Sequence, residues 1–525
     1  MQRPPRRSFA SLLVGGSLAA VVALTLALDA GGYLPGPASA ARGPKPSAIA
    51  SPTPGSSVTS AWSSPSPTVP TPPPSPLPSA SPLPVNVEVE GITTFRGNWT
   101  RSWYGRGPIP RREPEVLWRF PRSGSLCMTS GTEDEPDKVW CGTGWTGQPN
   151  VIVGPRGGIE IRIGAYDGAY HFLDGATGEP TRPALQTGDL AKGSATSDPD
   201  GYPLYYAGSR DNLLRVVALD RDRPTVLWEL DSRTSVPNPV WNTDWDGAPL
   251  VVGDHLLEGG ENSWFYVIRL HRGYDDLGLV SVDPEVVLAV PGFDDELLAA
   301  LGDREVSIEN SVAFHDGVAY FANSGGLVQG WDLSDVLAGG TEAERVFRFW
   351  TGDDTDASVV IDQQGYLYVA SEFQRFNARS AQVGQLMKLD PRSPDDPIVW
   401  SKRLDEIGDG GVGGIWATPA LWRGLLFVGT NAGDLLAVDR ATGRTFWKIH
   451  LGGPVWSSPV PIGDVLLQGD CQGYLHAYDL SGDLRERPEE LWRLRLPGCV
   501  ESTPAVWDGR IWVGTRGGAI FGIGR

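Results

Sequence analysis

Degraded copies of one eleven-residue segment, Ala437-Val438-Asp439-Arg440-Ala441-Thr442-Gly443-Arg444-Thr445-Phe446-Trp447, return down the chain at intervals of roughly forty to sixty residues. A unit of that size cannot bury its apolar face alone. The copies must therefore stack on one another, and this restricts the chain to a repeat architecture.

Five copies hold one register, ending at Asp174, Asp332, Asp439, Asp479 and Gly524, each preceded by a Gly-containing turn such as Gly429-Thr430-Asn431-Ala432-Gly433. Each reads as the end of a strand, a tight turn in which Gly supplies a backbone angle other residues resist, and a half-buried alternating strand. A second turn follows, as in Arg440-Ala441-Thr442-Gly443, and then an outer strand carrying Trp228, Trp400, Trp447 or Trp492, whose indole can fill the wedge between neighbouring units. Upstream lies another strand pair with its own turn, at His315-Asp316-Gly317, Gln363-Gln364-Gly365, Trp422-Arg423-Gly424 or Trp507-Asp508-Gly509. The unit is four antiparallel strands.

Units fall at 146–185, 190–231, 241–292, 306–352, 354–404, 414–453 and 454–498, and an eighth, 499–525, stops one strand short. Glu115-Val116-Leu117-Trp118-Arg119-Phe120 resembles the outer strands at Leu491-Trp492 and Leu227-Trp228, so an N-terminal strand is expected to complete the last unit and leave no free sheet edge. The expected fold is all-β: an eight-bladed β-propeller of four-stranded antiparallel blades over residues 87–525.

Ala-x-Asp-x-x-Thr-Gly-x-x-x-Trp, matched in full at 437–447, resembles the tryptophan-docking repeat of the PQQ-type, quinoprotein-like β-propellers. Ala218, Leu219, Asp220 and Trp228 match its ends, whereas Asp174 to Arg182 lacks the Trp; Phe95-Arg96-Gly97-Asn98 resembles openings of such proteins. The resemblance implies one of two roles, a quinone-dependent dehydrogenase or a non-enzymatic member similar to outer-membrane assembly scaffolds. The dehydrogenases bind the quinone beneath an adjacent-cysteine disulfide ring, with an Asp base beside calcium. This chain has no Cys-Cys pair, so the non-enzymatic branch is favoured.

Arg3, Arg6 and Arg7 precede an apolar run from Phe9 to Leu28, long enough to span a bilayer. Residues 1–40 are read as a signal-anchor, with cleavage after Ala38-Ser39-Ala40 and secretion as the alternative. Residues 41–86 are almost wholly Pro, Ser, Thr, Ala and Gly, a spacer that could extend on the order of 100 Å at about 3 Å per residue. Beyond these segments stand 39 basic against 62 acidic residues, which disfavours nucleic acid and anionic lipid as partners of the domain.

Four cysteines in an exported chain suggest two disulfides, and the blade order selects Cys127 with Cys141 and Cys471 with Cys499. Six scattered histidines show no ligand spacing, and no nucleophile–base arrangement or phosphate loop stands out.

In a propeller, the turns between second and third strands and the approaches to the inner strands surround the channel on one face. Blades three to five place there Asp244, Trp245, Asp246, Glu258, Glu261, Asn262, Glu309, Asn310, Asp354, Asp356 and Glu372. Carboxylates and amides at one rim suit a hard cation such as calcium, and Trp245, Trp416 and Trp456 could stack on a flat ligand. The plainer alternative is that the acids cap turns and line a hydrated channel while the indoles pack between blades. The expected role is a membrane-anchored, extracytoplasmic binding or scaffold module for a cell-envelope protein or glycan, monomeric and without a cofactor. The alternative is a PQQ- and calcium-dependent alcohol or sugar dehydrogenase, in which Asp246, Glu309 and Asn310 would be metal or base positions by placement.

Overall fold

The computed structural model describes residues 88–132, 136–145, 147–408 and 410–525. The apolar run, the candidate cleavage site and the spacer lie outside these residues; among the described residues no helix is long and apolar enough to cross a membrane.

Eight antiparallel sheets follow one another along the chain, with inner-to-outer strands at 150–186, 196–231, 250–291, 313–350, 360–402, 420–450, 460–495 and 505–524. The eighth takes its outer strand from Glu115–Phe120, where Val116 faces Ile523 and Trp118 faces Gly522. The ring is therefore closed by the N-terminal strand, and the eight-bladed reading holds. Both expected disulfides are present, with Cα separations of 4.2 Å and 3.8 Å.

The repeat motif acts between blades. Asp439 Oδ1 accepts from the backbone N–H groups of Ala441 and Thr442 and from the Thr442 hydroxyl, and Asp174 makes the same three contacts with Ala176 and Thr177. Each Asp thus folds its own Thr-Gly turn. The Trp of the preceding blade lies on that turn: Trp400 donates its indole N–H to the Arg440 carbonyl at 3.0 Å, and Trp118 donates to Gly175 at 3.0 Å. Gly443 has φ +71°, and a Cβ there would stand 2.8 Å from the Trp400 ring, so glycine is required twice over. Arg182 takes the indole's place in blade 1, pairing with Glu160 at 3.1 Å and donating to the Leu219 carbonyl of blade 2 at 2.7 Å.

The segment 91–106 is not part of the repeat and fills the middle of the ring. Gly91–Ile92 pairs with the inner strand of blade 1, and Gly105–Arg106 runs parallel to the inner strand of blade 8. Between them the segment bonds to the other six blades. Thr93 O accepts from Ser197 N, Trp99 O from Phe314 N, and Thr100 O from Ile361 N; the Tyr104 hydroxyl accepts from Leu421 N. The Arg101 guanidinium donates to the carbonyls of Ala248 and Val312, and that of Arg96 to Thr418, Pro419 and Pro459. Both arginines are fully buried. A hydrated through-channel, one of the expected readings, is replaced at this level by a polypeptide plug.

Candidate functional site

The approaches to the inner strands carry a second repeat, two residues before each inner strand begins. Gln148, Ser194, Ala248, Ser311, Ser358, Thr418, Ser458 and Thr503 occupy equivalent positions, one per blade. Neighbouring blades are joined through them: Gln148 N donates to Ser194 Oγ, Ala248 N to Ser311 Oγ, Ser311 N to Ser358 Oγ, Ser358 N to Thr418 Oγ1, and Thr418 N to Ser458 Oγ.

Two residues earlier in each blade stand Lys192, Asp246, Glu309, Asp356, Trp416, Trp456 and Glu501, with the blade 1 position outside the described residues. This ring frames an open cup lined by Phe95 of the plug, Trp145, Asp246, Glu309, Asn310, Asp356, Trp416 and the hydroxyl residues Ser194, Ser311 and Ser358.

On one side of the cup the charge is balanced internally. Lys192 Nζ lies 2.5 Å from Asp246, 3.0 Å from Asp244 and 3.1 Å from Glu261, and 4.5 Å from the ring centre of Trp145. Arg210 adds a second contact to Asp244 at 2.9 Å. The oxygens of Asp244, Asp246 and Glu261 lie within 4.8 Å of one another, close enough for a metal, but the ammonium stands among them. Burial opposes the charge on Lys192, yet Asp246, Glu261 and Asp244 outweigh it and hold its pKa well above normal. Burial pushes Asp244 up to about 6 and Glu261 to about 8 despite the lysine, and raises Asp246 as well.

The next quadrant has four carboxylates and no ammonium of its own. Glu309 accepts from the hydroxyls of Ser307 and Ser324, Asp354 from the Gln374 amide, and Asp356 from the Trp416 indole at 2.7 Å. Burial pushes the pKa of Glu309, Asp354, Asp356 and Glu372 well above the carboxylate range, and repulsion within the group adds to it. The opposite wall is aromatic. Trp145 meets Trp416 edge-on with centroids 5.2 Å apart, and Trp416 meets Trp456 at 5.2 Å.

The candidate residues thus separate by environment. Asp246, Glu309, Asn310 and Asp356 line the cup, Asp244 and Glu261 lie around Lys192, and Asp354 and Glu372 stand beside Asp356 and Glu309. Three are turned to structural work or lie below the mouth. Trp245 is 1% exposed, packs with Tyr266 and donates to the Asn212 carbonyl, so it presents no face to a ligand. Asn262 donates to the Ser232 carbonyl and the Tyr266 hydroxyl. Glu258 is buried on the second strand of blade 3, and burial holds its pKa well above the carboxylate range although the charge of Arg101 opposes it. Lys192, Trp145, Glu501 and Phe95 were not among the candidates. The register shared by Lys192 with Asp246, Glu309 and Asp356 was the signal that would have found the first.

Residues 383–485 match the PQQ-type repeat family model described as outer membrane protein assembly factor BamB. Over 154 residues the chain is 27% identical to the outer membrane protein assembly factor BamB of Nitrosomonas eutropha, covering 29% of this chain and 34% of that protein. Over 188 residues it is 27% identical to a quinohemoprotein alcohol dehydrogenase of Comamonas testosteroni, covering 31% of this chain and 24% of that enzyme. The matched part therefore spans about a third or less of either relative. The solved structure of the Comamonas enzyme superposes with a TM-score of 0.55 at 13% identity, covering 83% of this chain and 80% of that one. A europium-containing methanol dehydrogenase gives 0.56 at 12%, covering 83% and 98%. At such identities the likeness is one of fold.

Proposed function

We propose that this chain, an eight-bladed propeller of PQQ-type repeats, is an extracytoplasmic binding or scaffold module. Its N-terminal apolar run tethers it to the membrane, and its cup engages a cell-envelope ligand or protein. The observation that carries this reading is Lys192: the one set of carboxylates spaced to chelate a metal among the described residues holds an ammonium group instead. Two disulfides and the basic-then-apolar N-terminal sequence support export.

The likeness to the Comamonas dehydrogenase raises the alternative of quinone chemistry. A bound quinone would supply an electron acceptor and requires flat packing on both faces. The residues present do not fit it: the indoles of Trp145 and Trp416 lie edge-on to each other and offer no pair of parallel faces, and the cysteines pair as 127–141 and 471–499 with no adjacent-cysteine ring. The test is reconstitution of the purified chain with PQQ and calcium, reading dye reduction across alcohols and sugars. The binding reading expects none. Turnover that disappears on Asp246→Ala or Glu309→Ala would overturn it.

A further inference from the structure

The cup contains its own example of what it accommodates. At Lys192 three carboxylates and one indole face surround a primary ammonium, and the chain supplies that ammonium from the ring position before Asp246. The ring then continues with two more acids, Glu309 and Asp356, backed by Glu372 and Asp354, and no second lysine follows. The nearby guanidinium of Arg375 is paired with Asp303 at 2.7 Å and Glu305 at 3.3 Å, and its charge also acts on Asp354.

Acceptor capacity is left over at this place. Asp246 is 3% exposed and lines the cup, and its Oδ1 has no hydrogen-bond partner. Oδ1 of Asp354 and Oδ1 of Asp356 are likewise buried without a donor from any third residue, the two carboxyl groups hydrogen-bonding to each other. The wall beside them is indole: Trp416 is anchored to Asp356 through its N–H and lies edge-on to Trp145. A hard cation requires six or more oxygens around it, whereas Phe95, Trp145 and Trp416 put rings into the lining, and Ser311 and Ser358 already accept backbone N–H groups. An organic ammonium gains from both walls, by charge-assisted hydrogen bonds on one and cation–π contact on the other.

We infer that the second acidic side of the cup, Glu309, Asp354, Asp356 and Glu372 with the indole of Trp416, binds the primary ammonium group of an aliphatic amine, as Asp244, Asp246 and Glu261 with Trp145 hold Lys192. This inference rests on the binding reading above and names the ligand chemistry of the same cup.

The test is calorimetric and fluorimetric titration of the full chain. The probes are 1,4-diaminobutane, N-acetyl-lysine methylamide, 1,4-butanediol as uncharged isostere, and calcium chloride. The expected result is saturable binding of an amine with a change in tryptophan emission and none with the diol. The free diamine and the capped lysine separate a small-molecule source of the ammonium from a protein one, and binding of either supports the assignment. Affinity should fall at least tenfold in Glu309→Gln/Asp356→Asn, whose fold is checked by circular dichroism and melting. Glu372→Gln alone serves if the double variant does not fold. Binding of neither amine, or binding of calcium in place of the amines, overturns the ammonium assignment and leaves the binding-module reading standing. Quinone-dependent turnover would instead sink that reading, whether or not an amine binds.

Discussion

Burial disfavours the ionised forms of Asp244, Asp246 and Glu261, and the Lys192 ammonium within hydrogen-bonding distance of all three opposes that effect. Lys192→Met should cost about 3–5 kcal/mol near neutral pH, because an unpaired buried charge is left behind. Removing the lysine raises further the pKa values of Glu261, about 8, and Asp244, about 6, so the loss should shrink as pH falls, since protonated acids need no partner. Denaturant melts at pH 5 and pH 7.5 check this, and an equal loss at both would contradict it. His476 makes an independent case. Its ring nitrogens meet Asp470 at 3.1 Å and Glu490 at 2.6 Å, and although burial works against the charge, these acids raise its pKa. A raised folded-state value stabilises below the unfolded pKa of about 6.5 and is lost as pH rises through the folded one. His476→Gln should therefore lower the melting temperature more at pH 6 than at pH 9, and an NMR titration of the ring should show a midpoint above 6.5. The acids of the rim were legible in the sequence; their counter-ion was not, because a lone lysine carries no pattern until its register against the acids is known.

At the scale of the blade, the repeat works because an Asp folds a Thr-Gly turn and the turn receives an indole from the blade before. Gly443→Ala would place a methyl against the Trp400 ring in a left-handed backbone, and should cost about 2–3 kcal/mol. Trp447 is 6% exposed and donates to the Leu484 carbonyl at 3.1 Å, so Trp447→Ala should cost about 3–5 kcal/mol. Both are read from chemical denaturation, and a cost below about 1 kcal/mol for the tryptophan would mean that blade docking does not depend on it. Strand order, turn positions and the blade count were readable because the motif is local and its period regular. The role of Arg182 was not. Its contact to the Leu219 carbonyl reproduces the indole's hydrogen bond with a different side chain, and that equivalence exists only across the blade interface.

The whole ring is closed twice, at its rim by Glu115–Phe120 in blade 8 and at its centre by the segment 91–106. Arg96→Met would leave the carbonyls of Thr418, Pro419 and Pro459 without their donor, at about 1–3 kcal/mol for each that stays unpaired. The expected outcome is a loss of several kcal/mol with faster proteolysis; a melt unchanged from the parent protein would show that the plug follows the ring and does not brace it. Closure at the rim followed from the sequence, since an outer strand missing at one end and present at the other can be matched by pattern. Eight blades, both disulfides and the face that carries the acids followed from the same local signals. The central plug, the pairing of Lys192 with three carboxylates and the second acidic quadrant beside it were decided by the tertiary structure alone. They depend on which residues of separate blades meet at the axis, and a motif that repeats within each blade holds no information about what converges between them.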